Sequence, residues 1–259
     1  MKVLVCGKGG SGKSTLTALI AKAMAGRGYN VLVVDSDESN FGLHKQLGVG
    51  MPDDFMNYVG GKKTLIEKMM AAFKTGEGAS IFEEKWKLSE IPEAYTEVNG
   101  KIKLMAVGKI HDFGEGCACP MGALAKNLLK NIETTTEDVV LVDTEAGIEH
   151  FGRGVEEGCD LVFMVLDPSY ESIRLSAKIG ELAEKAGKPC YFVLNRVDEA
   201  GKQIMLDSLG NEKVLAAVPV NSELFKAGLE GDELKIMLPE IETIADFLVS
   251  GIKAEAIQN

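Results

Sequence analysis

Lys2-Val3-Leu4-Val5-Cys6-Gly7-Lys8-Gly9-Gly10-Ser11-Gly12-Lys13-Ser14-Thr15-Leu16 is the stretch that decides the architecture. Lys2 to Cys6 is an apolar run of strand length, and Ser14 to Ala25 carries helical periodicity. Between them Gly7, Gly12, Lys13 and Ser14 stand at the spacing of a phosphate-binding loop, in the strand–loop–helix setting that validates the motif. Glycines there let successive backbone N–H groups (Gly9, Gly10, Ser11, Gly12) converge on phosphate oxygens, and the helix start adds the positive end of its dipole. Lys13 is expected to bridge the β- and γ-phosphates of ATP, Ser14 to ligate Mg2+, and Thr15 to bond the α-phosphate.

Outward from this loop, short apolar runs alternate with helix-period stretches. Strands are expected at Val31–Asp35, Ile102–Val107, Asp138–Asp143, Leu161–Leu166, Tyr191–Asn195 and Val214–Val218. Helices are expected at Met121–Asn131, Ser169–Ala186 and Pro239–Lys253. The strands are apolar nearly throughout, as they must be when both faces are buried. The pattern predicts an α/β fold: a mostly parallel central sheet with helices on both faces. Residues 1–259 read as a single domain, with 48–100 as an insertion on the rim carrying one helix near Leu65–Phe73.

The chain has 259 residues and a formal net charge of −11. Such a surface does not suit phosphate backbones or anionic lipid, so neither nucleic acid nor membrane is expected as a partner. No apolar run approaches the roughly 20 residues of a membrane span. Met1-Lys2 leads straight into a strand, and a cytoplasmic protein is the expectation. Of the five cysteines, Cys6, Cys159 and Cys190 sit in or beside apolar runs and read as packed thiols. Cys117 and Cys119 offer two thiolates across one residue, half of a four-thiolate site suited to Zn2+ or Ni2+ and completed when two copies meet. His111 is close enough in sequence to be an accessory ligand, whereas His44 and His150 have no ligand spacing.

Further site residues follow from their places at strand ends. Asp143 ends an apolar strand, where its carboxylate is expected to emerge at the ligand-binding edge and to hold Mg2+ through water. Asp37 follows the second strand and is a candidate to orient the attacking water; Asp35 reads equally well as a turn residue. Gly147 is placed to approach a γ-phosphate and report its loss. Asn195-Arg196-Val197-Asp198 resembles a guanine reader with Arg in place of Lys, and Val218-Pro219-Val220 is placed to line a base, so GTP stays open beside ATP.

The second lysine of the loop, Lys8, with Lys13, Asp37 and Asp143-Thr144-Glu145-Ala146-Gly147-Ile148-Glu149, resembles the deviant phosphate loop (deviant Walker A) and switch segments of the MinD/ParA/nitrogenase-iron-protein class of P-loop ATPases. That resemblance implies a homodimer in which Lys8 reaches the partner's nucleotide, as an arginine finger does, and in which Asn195 contacts adenine. Gly114-Glu115-Gly116-Cys117-Ala118-Cys119-Pro120, with the run from Asp143 to Gly154, is similar to the nickel-insertion accessory ATPases of carbon monoxide dehydrogenase and acetyl-CoA synthase. It covers roughly residues 1–47 and 102–222, and implies a metallochaperone with nickel as cargo and one of those metalloenzymes as target. Three rivals remain: a GTP-dependent delivery protein, a nucleotide-switched regulator without metal, and a redox ATPase with a [4Fe-4S] cluster between subunits. The adjacency of Cys117 and Cys119 argues against the last.

Overall fold

A computed structural model of the chain describes residues 1–75, 81, 82, 84–110 and 119–258. In chain order the elements are β1 (Lys2–Gly7), α1 (Lys13–Gly26), β2 (Asn30–Asp35), α2 (Leu43–Leu47), α3 (Gly61–Thr75), β3 (Trp86–Lys87), β4 (Glu97–Asn99), β5 (Ile102–Ala106) and α4 (Cys119–Asn131). They continue with β6 (Ile132–Glu133), β7 (Asp138–Asp143), α5 (Glu149–Arg153), β8 (Leu161–Leu166), α6 (Tyr170–Lys185), β9 (Cys190–Val197), α7 (Glu199–Leu209), β10 (Val214–Pro219), α8 (Ser222–Glu230) and α9 (Pro239–Gln258).

Each apolar run became a strand because its alternate residues find a separate core on each face. Val3, Val5, Val31, Val33 and Leu141 pack with Leu16 and Ile20 of α1 and Ile244 and Leu248 of α9. Leu4, Cys6, Leu32, Val34, Val140 and Val142 point the other way, into a core with Leu124 and Leu128 of α4, Ile179 of α6 and Met205 of α7. The eight-stranded sheet has the order β10-β9-β8-β1-β7-β2-β5-β4. All its pairings are parallel except that of β4 with β5, so the fold class is the one the pattern predicted. The chain leaves β1 through α1 to β2 on one side and later builds β8, β9 and β10 on the other. The loops after β1, β2, β7, β8 and β9 therefore emerge along one edge, on both sides of the point where the strand order diverges, which is where such sheets bind ligands.

Residues 48–100 do more than decorate the rim. Phe55, Leu65, Leu88 and Ile91 are buried in the same core as Leu4 and Leu32, and the Phe55 ring stacks on Tyr58 at 5.2 Å and meets Trp86 edge-on at 6.0 Å. The segment closes the β5 edge with β4, and its helix runs over Gly61–Thr75. Four helices among the described residues were not foreseen: α2, α5, α7 and α8. Asp198 proves to be the N-cap of α7, its side chain accepting from Gly201 N (2.7 Å), and Asn221 caps α8 in the same way. Such caps satisfy the orphan N–H groups of a first turn. No helix among the described residues is long and apolar enough to cross a membrane.

Candidate phosphate and magnesium site

The loop between β1 and α1 is braced from the end of β9. Asn195 Nδ2 donates to the Ser11 carbonyl (2.7 Å) and Arg196 Nη1 to the Gly10 carbonyl (3.0 Å). Gly12, the residue before α1, has φ +97°, a conformation L side chains rarely adopt, and a Cβ there would intrude on the Asn195 amide. The sequence assigned Asn195 and Arg196 to the nucleotide. Their donors here hold the loop itself, and they also line an adjoining cavity of about 590 Å3 with Thr15, Pro219, Val220 and Phe225. Val218, expected beside the base, is fully buried in the core with Val193, because it lies within β10 where its side chain turns inward.

The first turn of α1 carries the polar centre. Ser14 Oγ donates to Asp143 Oδ2 (2.5 Å), and Asn40 Nδ2 donates to both Ser14 Oγ (2.9 Å) and Asp143 Oδ2 (3.2 Å). Asp143 Oδ1 is buried with no hydrogen-bond partner. Burial pushes the Asp143 carboxyl up to about 6, against the Ser14 hydroxyl and Lys13; nearby Asp37 adds to the rise. Lys13 is buried, with its Nζ 3.3 Å from the Lys8 carbonyl. A hydroxyl and a carboxylate with a spare oxygen are the hard donors that Mg2+ takes alongside phosphates, so these residues fit the metal.

Around that centre the segments after β2 and β7 are knitted together by buried charge. Lys109 Nζ sits 2.6 Å from Asp35 Oδ2 and donates to the Asp37 carbonyl (2.6 Å). Burial raises the Asp35 carboxyl to about 7 even though Lys109 opposes it, with Asp143 adding to the rise. Asp37 turns its carboxylate onto Ser39, accepting from Ser39 N (3.0 Å) and Oγ (2.6 Å). Glu145 pairs with Arg153; burial, then the neighbouring charge of Glu38, raise its carboxyl to about 7 against the pull of Arg153. Gly147 N donates to the Gly7 carbonyl (3.1 Å), which brings the chain after β7 against the phosphate loop. His150 is buried with neither ring nitrogen partnered, and burial, with Lys13 and Arg153 nearby, holds it down to about 3.

Lys8 extends away from Lys13. Its Nζ lies 2.9 Å from Asp167 and 3.8 Å from Glu171, and it donates to Ser169 Oγ (3.1 Å) at the start of α6. Cys6 and Cys159 lie in the apolar core and Cys190 packs against it, and burial raises the Cys159 thiol to about 12, the Cys190 thiol to about 11 and the Cys6 thiol as well. Cys117 and His111 lie outside the described residues, while Cys119 is the first residue of α4. Among the described residues no group of three or more His, Cys, Asp or Glu is placed to hold a metal. Asn40, Lys109, Asp167 and Glu38 were not singled out from the sequence. Each acts on a partner dozens of residues away, and no local spacing marks it; only the Asp37-Glu38-Ser39-Asn40 polar run after β2 was a usable signal.

Comparisons with known proteins bear on this arrangement. Residues 2–234 match the model of the CobQ/CobB/MinD/ParA nucleotide binding domain. An uncharacterized ATP-binding protein of Methanocaldococcus jannaschii is 50% identical over 96% of this chain and 99% of its own length. The carbon monoxide dehydrogenase accessory protein CooC of Rhodospirillum rubrum is 32% identical over 89% of this chain and 88% of its own. In fold, the septum site-determining protein MinD of Pyrococcus horikoshii, solved with Mg-ADP, superposes with a TM-score of 0.70 at 19% identity, covering 97% of this chain and 98% of that one. The chain belongs to the CobQ/CobB/MinD/ParA family of nucleotide-binding proteins.

Proposed function

We propose that the protein binds Mg-ATP and hydrolyses it as a homodimer, and that hydrolysis serves the delivery of nickel to carbon monoxide dehydrogenase or acetyl-CoA synthase. The observation that carries the ATPase reading is the Ser14–Asp143 pair, with one carboxylate oxygen left over, at the foot of a loop that ends in Lys13. Water would attack the γ-phosphorus, and the bond to the β-bridging oxygen would break to give ADP, phosphate and a proton. Lys13 would bind the β- and γ-oxygens, and Ser14 and Asp143 (the latter through water) would hold Mg2+, which neutralises charge on those oxygens when bound. Asp37 would orient the water once its carboxylate turns from Ser39, and Lys8 of a second copy would supply charge in trans. Gly147, whose N–H bonds the Gly7 carbonyl, would sense the γ-phosphate. ATP is favoured over GTP because one oxygen of Asp198, the would-be guanine acceptor, already caps α7.

The nickel reading is supported by the Cys117-x-Cys119 pair and by the similarity to CooC over most of both chains. Soft thiolates from two copies would make a four-sulfur site for Ni2+, and Zn2+ would compete for it. The test is anaerobic Ni2+ and Zn2+ binding to wild type and Cys117→Ser/Cys119→Ser, with oligomeric state followed with and without Mg-ATP. One metal per dimer, lost in the variant and altered by nucleotide, is the expected result. Cysteine-independent behaviour throughout would leave a nucleotide-driven switch without a metal cargo.

A further inference from the structure

The buried lysine at the end of the strand β5 connection has no place in the chemistry above. Lys109 is fully buried, among the largest side chains to be so. An ammonium in such a place must be paired, and a pair of this kind is commonly no more stable than apolar side chains of equal volume. Stability therefore does not explain why a lysine stands here. What the lysine does is grip one segment at three points. It bonds Asp35 Oδ2 and the Asp37 carbonyl, both at 2.6 Å, and lies 5.8 Å from the centroid of the Phe41 ring. The backbone repeats the attachment: Val107 N donates to Asp35 O (2.9 Å) and Ile110 N to Glu38 O (3.2 Å).

The gripped segment, 35–41, is the one that carries Asp37 and Asn40, and Asn40 bonds both Ser14 and Asp143. Residue 110, at the other end of the grip, leads directly into 111–118, which carries Cys117. A second tie holds the far flank. The Arg153 side chain lies against Gly122 in the first turns of α4, and Arg153 pairs with Glu145, two residues beyond Asp143. Both flanks of 111–118 are thus fastened to the two segments that surround Ser14 and Asp143.

We propose that Lys109 is a positioning residue that makes residues 35–41 and 107–110 move as one body, so that the nucleotide state at Ser14 and Asp143 is passed to residues 107–110. The proposal rests on the Mg-ATP reading given above and adds the route by which that site reports outward. It does not require that the cargo be nickel.

The experiment is hydrogen–deuterium exchange of the intact protein, with and without Mg2+ and a non-hydrolysable ATP analogue, on wild type and Lys109→Met. It is run beside steady-state ATP hydrolysis. In wild type, nucleotide should slow exchange in 35–41 and in 105–110 together, and in 119–125 through the Arg153 tie. In Lys109→Met the protection of 35–41 and 119–125 should persist, that of 105–110 should vanish, and kcat should fall about tenfold with KM within about threefold. Unchanged protection of both 35–41 and 105–110 with unchanged kcat overturns the proposal. So does loss of both with a large rise in KM, since that marks a merely structural prop. If Lys109→Met does not fold, Lys109→Met/Asp35→Asn removes both charges together and carries the same test. A wild type that fails to bind Mg-ATP overturns both readings; wild-type coupling that survives loss of Lys109 overturns this one alone.

Discussion

The halves of the sheet on either side of β1 treat polar groups in opposite ways. On the β8–β9–β10 side, Asn195 and Arg196 spend their donors on loop carbonyls, and Asp198 and Asn221 cap helices. On the β7–β2–β5 side the chain buries Asp35, Asp143, Lys109 and His150, and leaves Asp143 Oδ1, Glu38 Oε2 and both His150 nitrogens without partners. Unsatisfied buried polar atoms are costly and persist where the surrounding structure holds them for a purpose. One half is a rigid cradle that spends these groups on the loop and on helix starts, with Ser11 Oγ of the braced loop left open. The other half is left with open valences next to the place where phosphate and metal would enter, so it is the half whose energy changes when they do.

The largest effect expected from this difference is at Asp143. Asp143→Asn keeps an oxygen for the Ser14 hydroxyl but removes the charge, and ATP hydrolysis should fall by about 10²-fold or more. Stability should move the other way. The Asp143 carboxyl is raised to about 6 when folded, so its favourable contribution is full below the unfolded value and is lost as pH rises through about 6. The variant should therefore match wild type in thermal unfolding below about pH 3.5, gain on it between about pH 4 and about pH 6, and keep that margin at neutral pH. Titration by Mg-ATP calorimetry near about pH 6, in buffers of differing ionisation enthalpy, should show proton release in wild type that is absent in the variant. A variant less stable than wild type at neutral pH would show that the open oxygen is not a strained valence.

The rigid half should break in a different manner. Gly12→Ala places a Cβ against the Asn195 amide at a backbone φ of +97°. The cost should be about 1–3 kcal/mol of stability and more than about tenfold in nucleotide affinity. Gly12→Ala/Asn195→Ala removes the collision but not the backbone strain, so recovery should be partial. Isothermal titration and denaturant unfolding of the two variants separate the terms. Full recovery would mean that the loop owes nothing to the conformation of Gly12.

What was legible in the sequence follows the same division. The loop Gly7–Thr15 is contiguous, and strands buried on both faces announce themselves as unbroken apolar runs, so the sheet, Lys13, Ser14 and Asp143 could be placed from the sequence. Helix α7 was missed although its punctuation was present, Asp198 at the start and Gly210 at the end, because Asp198 was weighed as a base reader. Asn40 and Lys109 were invisible for a different reason. Their partners lie 26 to 103 residues away along the chain, so only the sheet order, with β7 beside β2 and β2 beside β5, brings them together. Cys117 and Cys119 were conspicuous in the sequence, yet Cys117 lies outside the described residues, and the pair stands on the similarity to CooC and on thiolate chemistry.

The smallest effect is at Lys8, which lies on the boundary between the halves. Within one chain its ammonium is held by Asp167 and Ser169. The pair is about one-fifth exposed on each side, so it is worth about 1 kcal/mol or less, equal to at most about fivefold in an equilibrium. A lysine that serves a partner's nucleotide must first leave this pair. Asp167→Asn weakens the hold without touching the phosphate loop, so it should shift the monomer–dimer balance with Mg-ATP toward dimer and raise hydrolysis by about two- to fivefold. Sedimentation and turnover at several protein concentrations read both effects. The gain must also disappear in Lys8→Ala/Asp167→Asn, because without the lysine there is nothing to release. If Asp167→Asn lowers stability slightly and leaves dimerisation and turnover alone, Lys8 belongs to the rigid half as a brace for α6, and its proposed role in trans falls.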